Sequence, residues 1–419
     1  MKKSLFVLAF VFVVHPSSLV IAQGPLTPPG TPAPTMRSLQ EIWDKIGALE
    51  TQNSQLQTLT AKLEKQLTLL SASTVNFPWN IFTIESAGNV GQYTSLAFGP
   101  DGQPAIAYYD AGNAFLKITR YDGATWTPTT VDNVGNVGQY ASLAFGPDGR
   151  PAIAYYDASL VSLKIARFDG TAWTVSTVDN AANVGQFASL VFGPDGQPAI
   201  SYYDATSQDL KFARFNGATW TVTTVDSVGN VGQYTSVKFG PDSQPAISYY
   251  ESVSRTLKVA RFSGGVWTAS TVTGVTANVG QHTSLAFGPD GQPAISYLDA
   301  NATSFIKIAR FNGSAWVSTT VSGVTSGNLG LLFTSLAFGP DGQPTVAYAS
   351  PTGAGANVQL VSARFNGSTW TATLVDAVGS VGRFGSQAFG PDGQPAISYY
   401  DVINGDLKFA RKGVFKSAP

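Results

Sequence analysis

Cysteine is absent from the 419 residues, which excludes disulfides, thiolate metal sites, a cysteine nucleophile and a lipid-modified cysteine behind an export signal. Charge is scarce as well. Asp, Glu, Lys and Arg make up 12% of the chain, with a formal net charge of −1, about half the usual share of charged residues. Without a basic stripe there is nothing to grip phosphates, so nucleic acid is not an expected partner. Histidine occurs only as His15 and His282. HExxH, GxSxG, GxGxxG and Walker patterns are missing, as is an EF-hand calcium loop, so no metal or cofactor is expected. The apolar run LFVLAFVFVV, from Leu5 to Val14, is too short to span a bilayer.

That run nonetheless has the form of an export signal. Lys2 and Lys3 precede it and Val20-Ile21-Ala22 follows it as a small-residue cleavage site, so residues 1–22 are expected to be a signal peptide. The mature protein would be secreted, periplasmic or at the cell surface, with no membrane span after cleavage. Residues 23–35, containing GPLTPPGTPAP, form a stiff Pro-rich linker. The period then changes. Leu39, Ile46, Asn53, Thr60 and Leu67 occupy heptad position a, and Ile42, Leu49, Leu56, Leu63 and Leu70 occupy d. This seam predicts an α-helical coiled coil over residues 36–72 and a homo-oligomer, with Asn53 setting register.

The rest of the chain is one text repeated. The stretch FGPDGQPAIAYYD recurs with small changes, and its first Phe stands at 98, 145, 192, 239, 287, 338 and 389. A period of about 47 residues is that of propeller blades of four strands. In the first copy YTSLAF reads as strand A, GPDG as a type I turn, PAIAYYD as strand B and FLKITRY as strand C. Asp122-Gly123 reads as a two-residue hairpin into strand D, TWTPTTVD. The near-continuous apolar runs predict strands buried on both faces. A small residue on every strand A (Ser95, Ser142, Ser189, Ser236, Ser284, Ser335 and Ser386) suits a crowded centre. The last copy stops after strand C, while Trp79 precedes Trp126 in phase with the ladder. Residues 76–419 are therefore expected to form an all-β, seven-bladed β-propeller of four-stranded blades, closed by an N-terminal strand.

On the repeated VGQYxSLAFGPDGQPAIxYYD and LKxARFxGxxW, residues 76–419 resemble the bacterial propellers built from almost identical tandem repeats, most of them exported. The resemblance implies the fold more than an activity. RYDGATW is similar to the Asp-box of sialidase-like propellers, S-x-D-x-G-x-T-W. It departs from that pattern, since Asp122 directly precedes Gly123 and Tyr121 stands at the Asp-box position, which weakens an implied sialidase activity.

Uniform copies are poor evidence for one catalytic centre. The arginine closing each strand C, from Arg120 to Arg411, and the repeated Lys117–Asp110 set read as ion pairs, and His282 stands where other copies have an aromatic. Lys238 replaces Ala97 or its equivalents on an inner strand, pointing to the central channel or a rim. The ladder tryptophans either plug gaps between blades or stack on sugar rings. Extra residues fall on the face of the D–A and B–C connections, mostly in blades 5 and 6. The expected ligand-binding residues are Asn301, Thr303, Asn328, Leu331, Leu332, Thr352, Asn357 and Gln359. The function expected is an exported, non-catalytic binding or adhesion protein for a surface glycan or cell-surface protein. The alternatives are a carbohydrate-active hydrolase or lyase, and a purely structural envelope component.

Overall fold

The structure, a computed structural model, describes residues 43–57, 59, 78–272, 278–301, 305–323, 332–352 and 357–413. The expected signal, the linker and most of the heptad seam lie outside these residues. Within the seam, α1 (residues 43–57) is helical, with Ile46, Leu49 and Leu56 exposed. Among the described residues no helix is long and apolar enough to cross a membrane.

Residues from Trp79 onward form seven antiparallel four-stranded sheets, a seven-bladed β-propeller. After β1 (Trp79–Glu85), blade 1 contains β2 (Val90–Phe98), β3 (Pro104–Asp110), β4 (Phe115–Tyr121) and β5 (Trp126–Asp132). Blade 2 contains β6–β9 (Val137–Phe145, Pro151–Asp157, Ser162–Phe168, Trp173–Asp179), and blade 3 contains β10–β13 (Val184–Phe192, Pro198–Asp204, Asp209–Phe215, Trp220–Asp226). Blade 4 contains β14–β17 (Val231–Phe239, Pro245–Glu251, Thr256–Ser263, Val266–Thr271), and blade 5 contains β18–β21 (Val279–Phe287, Pro293–Asp299, Phe305–Phe311, Trp316–Gly323). Blade 6 contains β22–β25 (Thr334–Phe338, Pro344–Pro351, Val358–Phe365, Trp370–Asp376). Blade 7 contains β26–β28 (Val381–Phe389, Pro395–Asp401, Asp406–Lys412), and its fourth strand is β1, paired with β28 from Trp79↔Lys412 to Glu85↔Leu407.

Burial follows position in the blade. Strand B is buried at every residue in most blades, whereas strand D shows four consecutive exposed residues in β5, β9 and β13. The C–D connection differs from the two-residue hairpin expected. Tyr121 pairs with Trp126 and the Asp122 amide donates to the Thr125 carbonyl, so the loop has four residues. The Asp122 carboxylate accepts the amides of Ala124 and Thr125 at 2.8 Å, an Asx turn that replaces the tight turn. The A–B turns touch around the ring. Gly102 has φ +75°, and a Cβ there would lie 2.9 Å from Cγ of Pro391 in the preceding blade's turn.

Two sets of hydroxyls tie neighbouring blades. The strand A serines do more than save space. Ser95 Oγ accepts the Leu143 amide at 2.9 Å, and the pattern continues blade by blade until Ser386 accepts the amide of Leu96 at 3.0 Å. The second set joins strand B to the next blade's strand A. Ser201 meets Thr235, Ser248 meets Thr283 at 2.7 Å, Ser296 meets Thr334 at 2.8 Å and Ser398 meets Thr94 at 2.8 Å. At the three remaining junctions both partners lack the hydroxyl: Ala107 with Ala141, Ala154 with Ala188, and Ala347 with Gly385.

Such pairs are buried, so a lone survivor has no water to turn to. Thr283→Ala is expected to cost about 1–2 kcal/mol, and Ser248→Ala with Thr283→Ala together less than the sum. Urea unfolding of the two single variants and the double variant measures the coupling. Additive losses would show that the hydroxyls do not act as a pair.

Candidate functional site

The A–B turns and C–D hairpins lie at one end of the strands, and between blades this end is grooved. Open cavities of about 650, 400 and 390 Å³ lie between blades 3 and 4, 4 and 5, and 5 and 6. Their walls repeat. The first blade contributes the arginine closing strand C and the aspartate of its A–B turn, and the second contributes the ladder tryptophan and the aromatic closing its own strand C. Between blades 4 and 5 these are Arg261, Asp242, Trp316 and Phe311, joined by Gln292.

Arg120–Asp101, Arg214–Asp195, Arg261–Asp242, Arg310–Asp290, Arg364–Asp341 and Arg411–Asp392 pair at 2.5–2.9 Å. Burial opposes charge on Asp195, Asp242 and Asp290, but a turn amide and the guanidinium outweigh it and hold these carboxyls below their usual range. Each arginine in these pairs also lies 4.9–5.7 Å from a phenylalanine ring of the next blade. Arg167 departs from the set and lies against Phe215 instead. The tryptophans are half-buried. Trp126 and Trp267 touch Phe409 and Phe212 of the preceding blade at 5.1 Å. Each therefore plugs a blade junction and still leaves part of its ring to the groove. An aromatic wall beside an oriented guanidinium, carboxylate and amide matches the apolar face and vicinal hydroxyls of a sugar ring.

A second constellation lies on the axis. Tyr93, Tyr140, Phe187, Tyr234, His282 and Phe384 have φ of 51–54° at a bulge in strand A. Their rings contact in sequence at 4.3–4.7 Å around a cavity of about 230 Å³. Phe333, the seventh, is buried in the space that Gly385 leaves open. Burial pushes His282 down to about 4, so it is neutral near pH 7. It fills an aromatic's place, as its position in the repeat suggests. Lys238 is exposed on β14, and enclosure lowers its ammonium pKa.

On the opposite face the acids are engaged. Lys164 pairs with Asp157 at 2.7 Å, Lys307 with Asp299 at 2.6 Å and Lys408 with Asp376 at 2.7 Å. Among the described residues no group of three His, Asp or Glu could hold a metal ion.

The residues expected to bind ligand are dispersed. Asn301 donates its amide to Asp299 at 2.6 Å, and the Thr352 amide donates to the Asn357 carbonyl at 3.0 Å, pinching that loop. Thr352 and Asn357 are exposed and Gln359 is half-buried on β24. Leu332 is 3% exposed in the core with Val346 and Leu360, so it offers no apolar contact to a ligand. Thr303, Asn328 and Leu331 lie outside the described residues. The sequence reading missed the groove. Its signal was available: the arginine, turn aspartate and tryptophan all stand at the same end of their strands, one blade apart.

The chain is thus a seven-bladed β-propeller with repeated grooves between blades. An ulvan lyase, a polysaccharide lyase bound to -[GlcA(1-4)Rha3S]-, is similar at 13% identity and TM-score 0.56, covering 81% of this chain and 96% of that one. A protein of unknown function from Dyadobacter fermentans is similar at 14% identity and TM-score 0.51, covering 67% and 96%. A lectin in complex with alpha methyl fucoside is 12% identical, with TM-score 0.49, covering 70% and 99%. At these identities the likeness concerns the fold alone. No protein-family model matches the chain, and no curated protein matches it.

Proposed function

We propose that the protein is a non-catalytic glycan-binding propeller whose sites are the repeated inter-blade grooves. The observation that carries this reading is the recurrence of one set, Arg–Asp pair with aromatic wall, in the three grooves of blades 3 to 6. Repetition suits binding, because several equal weak sites on one rigid ring raise the strength of attachment to a surface by orders of magnitude. A single catalytic centre would need a singular residue set. The same reading includes export by residues 1–22 and assembly through residues 36–72. The exposed Ile46, Leu49 and Leu56 of α1, with Asn53 among them, support a parallel coiled coil with a second copy.

Titration of the purified chain with sugars that bind on a glycan array, followed by calorimetry, is expected to give several equivalent sites and no turnover. Trp316→Ala should remove about one site and leave the remaining affinity unchanged. Release of product would establish a lyase or hydrolase, and absence of any binding a structural component. Loss of all binding when residues 351–359 are exchanged for AGNAF would place the site on the loop face. Light scattering should find a dimer or trimer that becomes monomeric without residues 36–72. A monomer with those residues present would refute the stalk.

A further inference from the structure

The junction between blades 6 and 7 departs from the others in the residue beside its ladder tryptophan. In blades 1 to 6 the residue paired with the ladder tryptophan is aromatic: Tyr121, Phe168, Phe215, Phe262, Phe311 and Phe365. In blade 7 Trp79 comes from β1 and its partner is Lys412. The same junction receives Arg364 of blade 6, paired with Asp341 at 2.6 Å and 5.7 Å from the Phe389 ring. Arg364 and Lys412 hold here the positions that Arg261 and Phe311 hold in the walls of the groove of blades 4 and 5, and burial first, with the Arg364 charge second, lowers the Lys412 ammonium pKa. The one carboxylate of the set, Asp341, pairs with Arg364, and among the described residues no acid pairs with Lys412. Trp79 packs on the core cluster of this junction, and its Nε1 is buried without a partner. Two cations against one acid leave a net positive groove beside an indole wall, whereas the groove of blades 4 and 5 pairs one arginine with one aspartate.

We propose that the seam groove formed by Trp79, Lys412, Arg364 and Asp341 is a specialised site for a sugar carrying an oxyanion, a carboxylate or a sulfate ester. The inference rests on the glycan-binding reading above and adds a ligand class to one groove. The indole takes the ring face, while the ammonium and guanidinium take the acidic substituent. Bringing that substituent in relieves the repulsion between the cations, so the acidic sugar gains where the neutral one does not.

Calorimetry with methyl glucuronide, galactose 6-sulfate and methyl glucoside tests this, with sodium sulfate as a sugar-free probe. The wild-type chain is expected to show one site per chain binding an acidic sugar about tenfold more tightly than methyl glucoside, as one charge-assisted contact supplies. The glucuronide and the sulfated sugar separate carboxylate from sulfate recognition. Lys412→Phe, which installs the phenylalanine of blades 2 to 6, should abolish the preference and leave neutral-sugar sites intact. Lys412→Gln serves the same purpose if the bulkier variant fails to fold. A preference that survives both substitutions, or one never present, overturns the seam site while leaving the general reading standing. Sulfate binding that depends on Lys412, with no sugar bound anywhere, would keep the anion site and sink the glycan reading.

Discussion

Deleting residues 76–88 is expected to lower the melting temperature by on the order of 10 °C or more and to cause aggregation. Three losses coincide in that segment. The β1 ladder to β28 goes, leaving the donors and acceptors of β28 bare along its length. Trp79, Phe82 and Ile84 withdraw from the cores on either side of blade 7. Glu85 also goes, and with it the carboxylate that takes the Tyr108 hydroxyl and the Lys117 ammonium at the junction of blades 7 and 1. Lys117 would keep only Asp110 at 3.9 Å. Differential scanning calorimetry with light scattering measures both effects. A deletion variant as stable and monodisperse as its parent would show that blade 7 holds without its outer strand.

Asp376→Ala should cost about 3–5 kcal/mol, the usual penalty for removing one member of a buried ion pair. The Asp376 carboxylate accepts the Lys408 ammonium and the Tyr399 hydroxyl, each at 2.7 Å, and the Val378 amide at 3.0 Å. Lys408 and Tyr399 are buried, so truncation strands both. A companion variant decides whether stranding is the cause. Blade 6 has Val361 where Lys408 stands, Ser350 where Asp401 stands, and Ser322 of blade 5 in the place of Asp376. Asp376→Ser combined with Lys408→Val should therefore lose much less than Asp376→Ala alone. Equal losses would put the cost in packing. Acid should act through the same group. Burial raises the Asp376 and Asp226 pKa values, but a lysine, a turn amide and a tyrosine outweigh it and depress both carboxyls. A depressed folded value contributes stability above the unfolded one, about 3.9, and loses it as pH falls through the folded value. Melting temperature should fall below about pH 4, less steeply in the double variant.

Seven blades, four strands each and the in-phase Trp79 were legible because strand period, turn residues and repeat length all agree. The C–D loop was misread since Asp122-Gly123 looks like a tight turn until the Asp122 carboxylate is seen capping two amides. The axial collar was hidden for a related reason. Its rings face one another because Tyr93 and its equivalents adopt a left-handed backbone at a bulge, and tyrosine carries no mark of that conformation. The turn face has a text that is uniform from copy to copy and carries no mark of a site. Its grooves arise from Arg261 meeting Trp316 of the next blade, and adjacency between blades is a property of the ring rather than of any one copy.

The matched hydroxyls at blade junctions make the junction, and not the blade, the unit that can be exchanged. Near-identical repeats recombine readily, and each would fold in any slot if its strands alone mattered. Placing blade 4 behind blade 2 would set Ala154 against Thr235, and placing blade 2 behind blade 4 would set Ser248 against Ala141. The second order strands Ser248 between two inner strands, at a cost of about 1–2 kcal/mol, whereas a threonine of this set has a main-chain acceptor as well, as Thr283 has in the Tyr234 carbonyl at 2.8 Å. Two or three such errors would consume much of a typical domain's stability. Shuffled rings are therefore counted out by their seams, and viable variants of this protein should be those in which a crossover carries both halves of a pair together.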